Sequence, residues 1–261
     1  MQPMHLGFFR GVQQEMAYIA TPYTAAALPL RIHAVETEEC LSRHLYFVCK
    51  RALDIVLSAL LLPLLLLLML LVAVLIKVDS PGPVFFMQDR VGVKRRIKGG
   101  RITWELYTFP FYKFRSMVND ADPTPHQVYF ENFRLGSIKG GQWTSFKLTK
   151  DSRLTRVGAI LRRSSLDELP QLVNVLKGEM SLVGPRPALP YEVALYDEAH
   201  FERFRAMPGI TGWWQATARS RVGFGEMIQM DIDYARRAGF WFDLEILLLT
   251  IPAVLSCRGA E

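Results

Sequence analysis

Residues 52–76 read ALDIVLSALLLPLLLLLMLLVAVLI. An apolar run of this length can cross a bilayer, which takes about 20 such residues. It lies too far into the chain, and is too long, for a cleaved signal peptide. Hydropathy alone reads it as an ordinary spanning helix. Two features favour a helix that enters the membrane and returns to the same face. Pro63 sits near the middle, where it removes one backbone hydrogen bond and tends to kink a helix, although spanning helices tolerate proline too. Arg43, Lys50 and Arg51 precede the run, and Lys77, Arg90, Lys94, Arg95 and Arg96 follow it. Positive charge marks the cytoplasmic side, and both flanks carry it. Asp54 fits, since a bent helix would leave it near the headgroups. The pattern predicts a re-entrant helix over 47–78, bent at Pro63, with spanning as the open alternative.

On the N-terminal side, residues 1–46 show little periodicity and read as a loosely structured tail. On the C-terminal side, residues 79–261 read as a cytosolic domain with interfacial helices. DSPGPVFFMQDRVG (79–92) opens with turn chemistry and continues as a strand over Val84 to Gln88. RITWELYTFPFYKFRSM (101–117) reads as its β-rich partner, broken near Pro110. Residues 119–141 hold Asn-Asp, two prolines and Gly-Gly, so they read as loop with one short helix at most. After Lys150 the pattern is helical, with turns at VGPRPALP (183–190) and MPGITGWW (207–214). The predicted fold is α+β and mostly α: a membrane anchor, then a domain of helices with a small β-hairpin.

Two helical segments favour a membrane surface. RLTRVGAILRR (153–163) sets arginines against Leu154, Val157, Ile160 and Leu161 at helical spacing. FWFDLEILLLTIPAVLS (240–256) is interrupted by Asp243, Glu245 and Pro252, so it is too short to span. Its aromatic cluster suits the headgroup level, and a buried core helix is the other reading.

Composition narrows the partners. The chain has 261 residues, half of them hydrophobic, and a net charge of +6. That charge suits nucleic acid, an anionic membrane face or a phosphorylated substrate. Cys40, Cys49 and Cys257 form no CxxC pair and no metal spacing, which argues for a reducing compartment and against a disulfide framework. The five histidines are equally dispersed, so no His/Cys metal site is expected.

The chemistry concentrates in RRSSLDELPQL (162–172), where Asp167 and Glu168 are adjacent. Ser165-Leu166-Asp167-Glu168 fits the capping box S-x-x-E, acids in a first turn complement the helix dipole, and Pro170 supports a helix start. A purely structural reading is therefore open. The surroundings support a second one. Arg162 and Arg163 lie just upstream, Arg186 is restrained between Pro185 and Pro187, and Arg219 follows another turn-rich stretch. Guanidinium forks match phosphate oxygens. A carboxylate among phosphate-binding groups can attack phosphorus to give an acyl phosphate. A second carboxylate can hold Mg²⁺, which binds through one or two carboxylates plus substrate phosphates.

KRALDIVLSALLLPLLLLL (50–68), VDSPGPVFFMQDRVG (78–92), FYKFRSM (111–117), TRVGAILRRSSLDELPQLVNVLKGEMSLVGPRP (155–187) and PGITGWWQATAR (208–219) occur in that order. Together they resemble the bacterial sugar transferase family, the monotopic polyprenyl-phosphate phosphoglycosyl transferases. The resemblance implies a re-entrant helix bent at the position of Pro63, on the cytoplasmic face of the inner membrane. It implies that Asp167 attacks the β-phosphorus of a UDP-sugar, that UMP leaves, and that polyprenyl phosphate takes the phosphosugar from the enzyme. Glu168 is implied to bind Mg²⁺. Arg162, Pro185, Arg186, Pro187 and Arg219 are implied in substrate binding, with Arg162 toward the lipid phosphate; Lys113 and Arg115 of the YKFR motif are further candidates. The implied partners are UDP-sugar, polyprenyl phosphate and membrane lipid, with no nucleic acid. The oligomeric state is open, a homodimer included. Two other readings remain: a non-catalytic membrane-tethered binding protein, and a metal-dependent hydrolase of nucleotide sugars.

Overall fold

The computed structural model describes residues 16–18, 41–98, 101–134, 151–218 and 221–256. The chain is mostly helical and is organised around one long helix, α1 (Leu41–Asp79), which runs unbroken through Pro63. It starts at Leu41 rather than at 47. It is the one helix among the described residues long and apolar enough to cross a membrane. At 1.5 Å per residue it extends about 58 Å, nearly twice a hydrocarbon core of roughly 30 Å. The additional length goes into docking.

Both ends of α1 pack on the same domain. Near its start, Lys50 Nζ lies 2.6 Å from Asp243 Oδ2, and Tyr46 donates to the same oxygen at 2.8 Å. Arg51 donates to the Val175 and Leu176 carbonyls at 2.5 and 2.8 Å, which satisfies acceptors at the end of a helix, where cations are favoured. Asp54 is buried and accepts from the Leu182 amide at 2.9 Å. It is therefore docked on the domain that follows α1. Near the end of α1, Val72 and Ile76 join Val84, Phe114 and Leu161 in one apolar cluster. Between these contacts Leu64 and Leu67 are 75% and 80% exposed, an apolar surface that water disfavours and lipid would cover.

After α1 comes a hairpin of β2 (Phe85–Lys98) and β3 (Arg101–Phe114), paired antiparallel from Phe85↔Phe114 to Lys98↔Arg101. A short β1 (Met16–Tyr18) pairs parallel to β2 on its other side. The strands are far longer than the expected Val84–Gln88, and Pro110 does not break β3: it sits opposite Asp89 in continuous register. A proline fits because β3 is an edge strand. Asn174 completes that edge, donating to the Pro110 carbonyl at 2.7 Å and accepting from the Tyr112 amide at 3.1 Å.

The rest of the domain comprises α2 (Thr124–Arg134), α3 (Arg156–Ser164), α4 (Gln171–Lys177), β4 (Ser181–Val183), α5 (Pro190–Val193), a 3₁₀ segment Glu198–Arg205, β5 (Gly209–Thr211), α6 (Trp213–Thr217), α7 (Phe224–Arg237) and α8 (Phe240–Leu255). A parallel pair, Ser181↔Gly209 and Val183↔Thr211, runs into the start of the first stretch read as a turn and through the second. Gly184 and Gly209 permit it, since a Cβ on either would overlap the facing backbone. The largest core cluster joins Phe109 and Phe111 of β3 to Val175, Met180, Val183, Tyr234 and Ile246. Leu57, Leu62 and Leu65 of α1 pack against it. α8 combines the two readings of its sequence: Phe242, Asp243 and Ile246 are buried, while Trp241, Leu248, Ile251 and Leu255 are exposed.

Candidate active site

The adjacent acids lie on a reversal of the chain. α3 ends at Ser164, and Ser165 adopts φ 59, ψ 15, the left-handed region that is uncommon for serine. A 3₁₀ turn over Leu166–Glu168 follows, and then α4. The Ser165 side chain makes no capping bond, so the capping box is not formed. Instead the turn buries Asp167 and points Glu168 at β3.

Lys113 of β3 faces both acids. Its Nζ lies 2.9 Å from Glu168 Oε1 and 3.6 Å from Asp167 Oδ2. Arg186 also approaches Glu168, with Nη1 3.6 Å from the same oxygen. Arg162, one helical turn before the reversal, donates through Nε to Ser116 Oγ at 3.1 Å. Burial lowers its pKa, and nearby Asp167 pulls in the opposite direction.

Arg186 stands on a rigid base. The carbonyls of Pro185, Arg186 and Pro187 accept in turn from the Gly209 amide at 2.9 Å, Arg203 Nη2 at 2.9 Å and Arg90 Nη1 at 3.0 Å. Proline φ is preset, so the loop has little freedom. Arg203 is itself held by buried Asp231 at 2.5 Å. Arg90 is buried, lies 5.2 Å from the centre of the Phe111 ring, and has its pKa pushed down by burial to about 10. Buried Glu192 lies within the influence of Arg90, Arg186 and Arg203, and burial raises its pKa. α2 adds His126, whose Nδ1 lies 2.5 Å from the Tyr191 hydroxyl. Burial and then Arg90, Arg153, Arg186 and Arg162 lower the His126 pKa to about 3. Several guanidinium groups thus surround two carboxylates, an arrangement suited to a multiply charged anion.

Of the residues expected at the site, the structure brings together Lys113, Arg162, Asp167, Glu168 and Arg186, with Pro185 and Pro187 as supports. Arg115 is placed elsewhere: it donates to the Ser80 carbonyl at 2.7 Å, to Ser80 Oγ at 3.0 Å and to the Pro81 carbonyl. Arg219 lies outside the described residues. Arg90, Arg203, Glu192 and His126 were not anticipated. Arg90 lies in the QDRVG motif, but its burial has no signature in sequence.

A Mg²⁺ ion would find only a partial shell here. No group of three or more acidic, histidine or cysteine side chains able to hold a metal occurs among the described residues. Asp167 and Glu168 can offer one or two carboxylates, which suits an ion held chiefly by substrate phosphates.

A family model for the bacterial sugar transferases matches residues 45–257. The chain belongs to that family. The match takes in α1 from residue 45 onward, the hairpin, the acid pair and both proline-glycine loops. The exopolysaccharide production protein ExoY of Rhizobium meliloti is 37% identical over 214 residues, 82% of this chain and 88% of that protein. The undecaprenyl-phosphate galactose phosphotransferase of Salmonella typhimurium is 38% identical over 212 residues, 81% of this chain and 41% of that protein. The UDP-glucose:undecaprenyl-phosphate glucose-1-phosphate transferase of Xanthomonas campestris is 41% identical over 226 residues, 82% of this chain and 40% of that protein. The chain therefore spans most of ExoY and less than half of the two transferases.

Proposed function

We propose that this sugar transferase moves a sugar-1-phosphate from a UDP-sugar to undecaprenyl phosphate, releasing UMP and making the first lipid-linked intermediate of a surface glycan. The observation that carries this reading is a buried carboxylate, Asp167, beside Lys113, Arg162 and Arg186 in a domain docked on an exposed apolar helix. The two transferase relatives, named for galactose and glucose transfer to undecaprenyl phosphate, agree with it.

In the first step an Asp167 oxygen attacks the β-phosphorus. The bond from that phosphorus to the bridging oxygen breaks, and UMP departs with the oxygen and its electron pair. In the second step an oxygen of undecaprenyl phosphate attacks the same phosphorus, and the Asp167 carboxylate leaves. Arg186 and Lys113 hold the diphosphate, and Arg162 receives the acceptor phosphate. Glu168 together with the substrate phosphates would hold Mg²⁺, which neutralises charge on the diphosphate.

The acceptor explains the anchor. Each buried CH₂ of a prenyl chain is worth ~0.8 kcal/mol, so the acceptor stays in the bilayer and the enzyme must work at its surface. α1 is read as re-entrant on the cytoplasmic face. Docking of both Lys50 and Ile76 on one domain supports this, because a helix with both ends held on one side does not traverse the membrane. Ser42→Cys and Ser80→Cys, with native cysteines removed, should both resist an impermeant thiol reagent in intact cells. Labelling of only one would mean a span.

Incubation with a panel of UDP-sugars separates the classes of function. The transferase releases UMP in proportion to enzyme without acceptor, and continuously once undecaprenyl phosphate is added. A hydrolase releases it continuously without acceptor, and a binding module never releases it.

A further inference from the structure

The end of α1 is tied to the helix that carries Arg162. Asp79, the last residue of α1, accepts from the Val157 amide through Oδ2 at 3.0 Å. Thr155 caps the same end of α3, accepting from the Gly158 amide at 2.9 Å, and its hydroxyl also bonds Asp79. A helix N-terminus leaves four amides without partners. One of them is here satisfied by a carboxylate 78 residues away on the membrane helix.

The tie is reinforced around it. Arg115 holds the Ser80 and Pro81 carbonyls just beyond Asp79, and its own amide donates to the Val84 carbonyl at 2.8 Å. Val157 and Leu161 of α3 pack in the cluster that contains Val72 and Ile76. The Ser116 carbonyl accepts from the Thr155 amide at 3.1 Å, and a Cβ on Gly158 would overlap that carbonyl. Ser116 Oγ accepts from Arg162. A continuous run of short contacts thus leads from the end of the membrane helix, through the first turn of α3, to the guanidinium beside Asp167. Ile160, on the outer face of α3, is 65% exposed among these elements.

We propose that Asp79 is a positioning residue that sets Arg162 at the depth of a bilayer-embedded acceptor phosphate by fastening α3 to the end of the membrane helix. The inference rests on the assignment of Arg162 to the acceptor phosphate. Lys113 and Arg186 belong to β3 and to the loop after β4, and the turn that carries Asp167, though it follows α3, has its own supports in Lys113 and in α4, which Arg51 and Asn174 hold. Loss of Asp79 then weakens the second half-reaction and spares the first. The defect requires a bilayer, because a short water-soluble prenyl phosphate can follow a displaced Arg162 whereas an embedded one cannot.

The test compares wild type, Asp79→Ala and Asp79→Asn in anionic vesicles. UMP release without acceptor measures the first half-reaction. Transfer to vesicle-embedded undecaprenyl phosphate, and to a short-chain soluble prenyl phosphate, measures the second. For Asp79→Ala the expected result is a KM for embedded acceptor raised about five- to tenfold, the scale of a lost helix cap. UMP release and transfer to the soluble acceptor should stay within about twofold. Asp79→Asn keeps an acceptor oxygen for the Val157 amide and should restore most of the loss. Equal losses with both acceptors, a parallel fall in UMP release, or no loss at all would overturn the proposal. If Asp79→Ala fails to fold, Val157→Pro, which removes the donor amide in the first helical turn where proline is tolerated, carries the same comparison. Absence of UMP release by wild type would instead strike at the transferase reading itself.

Discussion

Two clusters of opposite charge lie in this molecule, and their geometry separates structure from chemistry. At the start of α1, Lys50, Asp243, Tyr46 and Tyr234 form a closed set: Lys50 and Asp243 are 2.6 Å apart, and both tyrosines donate to the same carboxylate at 2.7–2.8 Å. Around Asp167 the contacts are looser, with two of three ion pairs at 3.6 Å, and cations outnumber acids. The closed cluster holds α1 on the domain. The second, in which cations outnumber acids among the described residues, suits a multiply charged anion.

The sharpest way to break this comparison is to exchange the consequences. Removing one partner of a buried ion pair strands the other and costs about 3–5 kcal/mol. Lys50→Met should therefore lower the denaturation midpoint strongly, while the surviving folded fraction still releases UMP. Denaturant titration in detergent checks it, and a fully stable but inactive Lys50→Met would reverse the roles of the two clusters. Arg186→Lys should do the opposite. The planar fork is lost but the charge remains, and loss of such a clamp costs on the order of 100-fold in rate. Its melting curve should match wild type.

The acid pair was legible because its motif stands out among arginines, and the membrane run because residues 55–76 carry no charge. The first turns of α1 were not. Leu45 and Tyr46 follow Arg43 and His44 without a clear period, so residues 41–46 read as tail, and the docking of Tyr46 on Asp243 holds them as helix. The full length of the hairpin was hidden by the basic run Lys94-Arg95-Arg96. Two of those residues lie over rings, Lys94 over Tyr107 and Arg95 over Phe47, at 4.4 and 4.7 Å, so aromatic side chains far away in sequence support a strand that local composition disfavours. Pro110 was misread because edge position is a property of the sheet. Lys113 and Arg115 share one motif and have different destinations; β3 sends the first to the acids and the second to the turn after α1.

His126 gives the smallest effect and refines the contrast on the cationic side. Its pKa is depressed to about 3 in the folded protein, against roughly 6.5 in an unfolded chain. The unfolded state therefore binds the extra proton first. The stability associated with a neutral imidazole is complete above pH ~6.5 and declines as pH falls below it. His126→Gln should flatten the melting temperature between about pH 6.5 and 5 relative to wild type. An unchanged acid limb would mean that neither burial nor the arginines depress this imidazole.

The central claim concerns Asp167. Intact-protein mass spectrometry after mixing with UDP-sugar and Mg²⁺, without lipid acceptor, reads it directly. Wild type should gain the mass of one phosphosugar, hydroxylamine should remove it as it removes acyl phosphates, and folded Asp167→Asn should never acquire it. Wild-type turnover by a folded Asp167→Asn protein, or an adduct that persists in it, would contradict the assignment of Asp167 as the nucleophile.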